Sequence, residues 1–221
     1  IDQRLVADGG VFAEVDPNSR LAATSATNAT ATGLANNETA YRYYDGGVGH
    51  YQKNFAVTGS FNVSAGSAAG RFVTGWATTL SHWAGTAEAL GFDIIIDAGA
   101  TQYHAQVRER SVSTNYNAPS SGVIFNVGAT TYYYTSGRYS ALGAKGGIYS
   151  AFYSDAGLTT FLGFGFKEIT HTDNNYQYFY DLQSYNYADA NTITGSHSSI
   201  TESTPAAGID LTTATGGFVQ T

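Results

Sequence analysis

The chain has neither cysteine nor methionine, only three prolines, and few charges. Without cysteine there is no disulfide, thiolate metal site or cysteine nucleophile, so stability rests on apolar burial and backbone hydrogen bonds. The charged residues make up 12% of the chain, about half the usual share, which leaves Thr, Ser, Asn, Gly and Tyr to cover the surface. Ten basic residues stand against 17 acidic ones, for a formal net charge of −7. The basic ones are scattered singly from Arg4 to Lys167, so no patch can neutralise a run of phosphates, and nucleic acid is not an expected partner. No apolar run approaches the roughly 20 residues of a membrane-crossing helix, and no membrane insertion is expected. A chain opening at Ile1 with no methionine anywhere reads as trimmed, matured or a fragment; the preferred expectation is a lost leader and an extracellular or virion-surface location.

What is abundant is aromatic and β-forming. Hydrophobic residues account for 43% and aromatics for 14%, with 17 tyrosines, ample for a core. Helical spacing is nearly absent; the one candidate is Trp83 to Leu90, where Trp83, Ala87 and Leu90 could share a face. Elsewhere the period is two. In Phe92 to Asp97, Phe92, Ile94 and Ile96 fall on one face, with Asp93, Ile95 and Asp97 on the other. A turn at Ala98-Gly99 and a return strand from Tyr103 to Val107 complete a hairpin that sets Asp93 near Gln106 or Arg108. A second hairpin runs Ile148 to Tyr153, turns through Ser154 to Gly157, and returns from Thr159 to Phe166.

Further strands are expected at 20–31, 55–63, 72–79, 122–127, 132–139, 176–185 and 209–214. Many short strands with Gly and Asn turns predict an all-β fold, an antiparallel two-sheet β-sandwich. Its expected core holds Phe61, Phe72, Trp76, Phe92, Ile94, Ile96, Val107, Ile148, Phe152, Leu162, Phe164 and Leu182. The sandwich is expected over 20–190, preceded by an N-terminal arm or edge strand (1–19) and followed by a Ser/Thr-rich strand or tail (191–221).

The stretches TAYRYYDGGVGHYQKNFAVTGSFNVSAGS, GFDIIIDAGATQYHAQVRER, TTYYYTSGRYSALGAKGGIYSAFYSDAGLTTFLG and NNYQYFYDLQSY together resemble the concanavalin A-like (laminin G-like) jelly-roll superfamily. The likeness is to the lectin-like modules of phage and environmental surface proteins. The features that carry it are the tyrosine-rich run Tyr132 to Arg138, the Gly146-Gly147 turn and the strand Tyr149 to Asp155. The resemblance implies a jelly roll, and its hosts include lectins, glycanases and structural modules.

Glycanases of this superfamily carry an E-x-D-x-E pattern, which is missing. Asp93 and Asp97 lie about 13 Å apart along one strand, too far for a retaining pair at about 5 Å or an inverting pair at about 6.5 to 9.5 Å. They read as solvent-facing acids paired with Arg108 or Arg110, and no catalytic residue is assigned. The five histidines, His50, His82, His104, His171 and His197, form no ligand spacing. Calcium is possible, since laminin G-like domains can hold it through loop carboxylates, and Asp45, Asp155 and Asp173 are candidates. These residues are also ordinary turn formers. Sequons stand at Asn28, Asn37 and Asn62.

The tyrosine clusters suggest an aromatic platform for sugar rings or a partner protein, with Tyr43, Tyr132 and Tyr178 as candidates; Tyr176, Tyr178, Tyr180 and Leu182 are expected to share one face. The alternative is cross-strand packing. The leading expectation is a non-catalytic structural or adhesive surface protein, a virion or filament subunit that associates with copies of itself by strand addition. Leu5, Val11 and Phe12 on one arm, and Leu211 and Phe218 on the other, would dock on a neighbour's sheet edge. A carbohydrate-binding lectin-like module is the alternative, and a glycanase is the second.

Overall fold

The computed structural model describes residues 12–25, 28–48, 51, 55–65, 70–81, 88–96, 101–112, 114–117, 123–139, 145–171, 176–186 and 193–203. Every named element among them is a strand, and every pairing is antiparallel. In chain order these are β1 (Ala13–Val15), β2 (Leu21–Ser25), β3 (Asn28–Leu34), β4 (Thr39–Asp45), β5 (Phe55–Ala65), β6 (Gly70–Ala77), β7 (Glu88–Ile96), β8 (Gln102–Ser111), β9 (Thr114–Asn117), β10 (Ile124–Asn126), β11 (Tyr132–Tyr139), β12 (Gly147–Tyr153), β13 (Phe161–Glu168), β14 (Tyr178–Asn186) and β15 (Ile193–Ser203). Sheet A runs β1-β4-β14-β6-β7-β8-β10, with β9 also on β8, and sheet B runs β13-β12-β11-β5-β15-β3-β2. The antiparallel sandwich expected from the period-two pattern is the fold observed.

Alternation explains what lies between the sheets. From sheet B, Phe55, Val57, Phe61, Tyr132, Tyr134, Ile148 and Phe152 point inward; from sheet A, Phe72, Trp76, Phe92, Tyr103, Val107, Phe125 and Phe179 meet them. Each such side chain contributes about 1.5–3 kcal/mol when fully buried, and ring packing adds to this. Of the expected core, Phe61, Phe72, Trp76, Phe92, Val107, Ile148 and Phe152 are there, while the side chains of Ile94, Ile96 and Leu182 lie outside the described residues. Leu162 is a correction: it is 40% exposed. Phe164 is another, lying half-buried and stacked on Tyr149. On β13 the buried positions belong to Gly163 and Gly165. A register shift between Phe152 and Tyr153 changes the parity that a simple count along the hairpin assumes.

Other elements depart from the sequence reading or take one of the alternatives it left open. The segment expected as a helix is a strand from Glu88 onward, with Leu90 in the core and Trp83 outside the described residues. The single strand expected over 20–31 is the hairpin β2–β3. The Ser/Thr-rich C-terminal stretch supplies β15, which pairs β5 on one side and β3 on the other, so the sandwich extends past 190. In the N-terminal arm, β1 pairs with this chain's own β4, and Phe12 packs on Tyr44 with the Arg42 guanidinium 4.4 Å from its ring centre. Leu5, Val11, Leu211 and Phe218 lie outside the described residues.

Sheet A carries a second, smaller apolar cluster on its outer face: Tyr41, Val73, Ala77, Ala89 and Tyr180. Gly75 and Gly91 pair with each other beneath it. A Cβ on Gly91 would lie 2.3 Å from the Thr74 carbonyl oxygen, and one on Gly75 2.3 Å from that of Leu90, so only glycine fits this close strand approach. The turn after β6 folds over the cluster. The Ser81 N–H donates to the Tyr180 hydroxyl at 3.0 Å, and that hydroxyl donates to the Thr79 carbonyl at 3.2 Å.

Two predictions follow from these contacts. Tyr180→Phe removes both roof bonds while keeping the ring; the expected result is faster amide exchange at Ser81 and a loss of about 0.5–1.5 kcal/mol of stability, with the sheets intact by circular dichroism. The second concerns the β12–β13 turn, where the Asp155 carboxylate accepts the Thr160 N–H, the Thr159 N–H at 3.2 Å and the Thr159 hydroxyl at 3.0 Å. The Thr160 bond foremost, then those of Thr159, hold its carboxyl down at about 2. A depressed carboxyl stabilises the fold above its unfolded value of about 3.9 and loses that contribution as pH falls through the folded value. The difference in melting temperature between wild type and Asp155→Asn is therefore expected to be constant above about pH 4 and to shrink between about pH 4 and pH 2.

Candidate functional site

Strands β4 and β14 are adjacent in sheet A, and their register sets Tyr43 opposite Tyr180 and Asp45 opposite Tyr178. Residues at Tyr41, Tyr43, Tyr178 and Tyr180 therefore share the outer face. The rings of Tyr41 and Tyr180 are 5.7 Å apart, and those of Tyr43 and Tyr178 6.0 Å apart at 75°. Tyr41 and Tyr180 are buried under the roof, whereas Tyr43 and Tyr178 are half-buried and present ring surface to solvent. The pair stands on the small apolar cluster, with Val15 packed alongside.

Polar groups border the rings. Asp45, exposed at the end of β4, accepts the Gly47 N–H at 2.9 Å and the Gln177 side-chain amide at 2.9 Å, both through Oδ1. The phenol of Tyr178 is pushed above the usual tyrosine range, first by partial desolvation and then by the Asp45 carboxylate and Tyr43. Burial raises Tyr41 likewise. At neutral pH these hydroxyls stay protonated and can both donate and accept. An apolar ring surface edged by a fixed carboxylate, an amide and phenols suits a ligand with one apolar face and hydroxyls around its rim.

Two of the three tyrosines named from sequence thus come together. Tyr132 does not: it is a core residue, packed on Phe61, Phe125 and Tyr103, and its hydroxyl accepts the Asn126 N–H at 3.3 Å. The expected face of Tyr176, Tyr178, Tyr180 and Leu182 is also corrected. Tyr176 precedes β14, bridges Tyr51 and lies in the main core. A bulge after Tyr180 puts Leu182 opposite Arg42, off the tyrosine register. Gln177 and Tyr41 are not among the site residues named from sequence. For Tyr41 the signal is alternation across β4 (Thr39–Asp45), where the sequence reading places no strand.

The other candidates are accounted for as follows. Asp155 is spent on its turn, and Asp173 lies outside the described residues. Among the described residues, no group of three or more His, Asp or Glu side chains could hold a metal ion. Asp93 pairs in register with Gln106, as expected. Arg108 donates to Gln106 at 3.1 Å and Arg110 to Asn115 at 3.1 Å, while Asp97 lies outside the described residues. The Asn62 sequon side chain donates to the Gly128 and Thr130 carbonyls at 2.7 Å, whereas Asn37 is exposed on a turn.

A second polar cluster was not foreseen. Glu109, fully buried on β8, accepts the backbone N–H groups of Thr170 at 3.2 Å and His171 at 2.7 Å. Lys167 stands 3.5 Å from the same carboxylate, and the His171 ring stacks on Tyr116. These bonds fasten the chain after β13 to the opposite sheet, which is a structural use of the charge.

No protein-family model matches the chain, and no curated protein is similar to it in sequence. Solved structures are similar in fold. A legume lectin-like domain from Entamoeba histolytica superposes with a TM-score of 0.57 at 8% identity, covering 89% of this chain and 91% of that one. A carbohydrate-binding module, CBM66, from Bacillus subtilis gives 0.53 at 10% identity over 88% and 96%. A GH43 glycoside hydrolase, engineered for endo-xylanase and exo-arabinofuranosidase activity, gives 0.58 at 9% identity; 86% of this chain is covered, but only 37% of that enzyme. The likeness is one of fold: the antiparallel two-sheet jelly roll of this chain is shared with a lectin-like domain and a carbohydrate-binding module.

Proposed function

We propose that this domain is a non-catalytic carbohydrate-binding module that works outside the cell and takes its ligand on the outer face of sheet A. The observation that carries the reading is the Tyr43–Tyr178 pair, half-exposed and bordered by Asp45 and Gln177. A pyranose ring has an apolar face that stacks on aromatic rings and equatorial hydroxyls that meet polar groups at the edge. The similarity to a legume lectin-like domain and to a carbohydrate-binding module supports it. A fold alone does not assign a function, so the reading rests on the tyrosine face.

Self-association is a second reading, favoured by β13. This strand stands at the end of sheet B and exposes Phe161 and Leu162, each 40% accessible. Exposed apolar side chains on an edge strand invite pairing with another chain. In that case sedimentation of the purified chain would show a dimer that Leu162→Lys dissociates.

The glycan reading is tested by array screening followed by calorimetry. Specific binding is expected, with Tyr178→Ala or Tyr43→Ala weakening it by about tenfold or more, equivalent to about 1.4 kcal/mol, while Tyr133→Ala on sheet B leaves it unchanged. An array with no specific ligand, or binding indifferent to both substitutions, would remove the site from consideration.

A further inference from the structure

Resting on the glycan reading, we infer that the site selects neutral, hydroxyl-rich glycans over anionic ones, with Asp45 as the hydroxyl acceptor and without a metal ion. The orientation of Asp45 is set before any ligand arrives. The Gly47 N–H two residues on, and the Gln177 amide on the far side of the chain immediately before β14, both donate to Oδ1. Those two bonds fix the plane of the carboxylate and, among the described residues, leave Oδ2 uncommitted. A carboxylate accepts only, and hydrogen bonds to an ionised acceptor are shorter and stronger than neutral ones. The complementary ligand group is a hydroxyl, or a vicinal pair of hydroxyls, at the rim of a ring stacked on Tyr178.

Charge decides what is refused. A uronate or sulfate at the same point brings oxygens that cannot donate and a charge of the same sign. On β4 the neighbouring cation is turned the other way: Arg42 is buried on the core face over the Phe12 ring, where it cannot meet an anion on the outer face. The chain's net charge of −7 adds a general repulsion of polyanions. Calcium is not required by this arrangement, since a single carboxylate at a strand end with one oxygen already bonded does not supply the six to eight oxygens of a calcium cage.

The test titrates the full chain calorimetrically with neutral oligosaccharides and with uronic-acid oligomers of matched linkage and length, in buffer containing either EDTA or calcium. Neutral oligomers are expected to bind equally in both buffers, and their acidic counterparts at least about tenfold more weakly. Asp45→Asn, which keeps the shape, should weaken neutral binding by about tenfold and narrow the neutral-to-acidic ratio, with the melting temperature near wild type. Should that variant melt early, Asp45→Ser, judged on the same ratio, replaces it. Equal or tighter binding of the acidic oligomers, a ratio untouched by either Asp45 substitution, or loss of binding in EDTA would overturn the inference while leaving the glycan reading intact. Binding of neither class would overturn both.

Discussion

Phe61 occupies the place where the two sheets touch. Its ring lies within 6.4 Å of Phe92, Tyr103 and Phe125 of sheet A and of Tyr132, Tyr134 and Phe152 of sheet B. In a chain with no disulfide, this aromatic contact across the gap carries the sandwich. It requires each strand to present its aromatic residues on alternate positions in correct register, because a slip by one residue would turn the core side chains to solvent. The same requirement leaves the intervening residues facing outward. Tyr43 and Tyr178 are on the surface because Tyr44 and Phe179, next to them in sequence, belong inside.

The outer face of sheet A is therefore shaped by the core rather than beside it. Gly75 and Gly91 bring β6 and β7 close, Tyr41 and Tyr180 fill the space above, and the turn at Thr79–Ser81 closes over Tyr180 through its hydroxyl. Among the described residues of this face, Tyr43 and Tyr178, beyond the roof, present ring surface to solvent. On the proposed reading, a platform built on strands and backed by a second apolar cluster would lower the entropic cost of binding a flexible sugar. The position of Asp45, fixed by Gly47 and Gln177, extends the same preorganisation to its polar edge.

Much of this was legible in sequence where strands are apolar and regular. The β11 bounds, Tyr132–Tyr139, match the reading, and the β7–β8 hairpin has the expected pairing of Asp93 with Gln106. Elsewhere the period-two rule failed for identifiable reasons. Bulges between Phe152 and Tyr153 and after Tyr180 reset the parity, so Leu162 and Phe164, expected inward, are not in the core, and Leu182 falls off the register of the tyrosines. Strand β15 offers only Ile193 and Ile200 as aliphatic markers, and its place between β5 and β3 rests on backbone pairing that composition does not advertise. The site was half legible: Tyr43 and Tyr178 could be named, but Tyr132 could be told from them only by knowing which face of β11 meets Phe61. Glu109 was hidden between two arginines, and its role depends on residues 61 and 62 positions later in the chain.

The central claim is that the ligand lies on the tyrosine face of sheet A. Nuclear magnetic resonance of the tyrosine-labelled chain, titrated with a neutral oligosaccharide that binds, tests it most directly. The ring signals of Tyr43 and Tyr178 are expected to move together with saturation, while those of Tyr133 and Tyr153 on sheet B and of Tyr103 in the core stay in place. Movement confined to the sheet B tyrosines, or a saturating ligand that leaves Tyr43 and Tyr178 unshifted, would contradict the account.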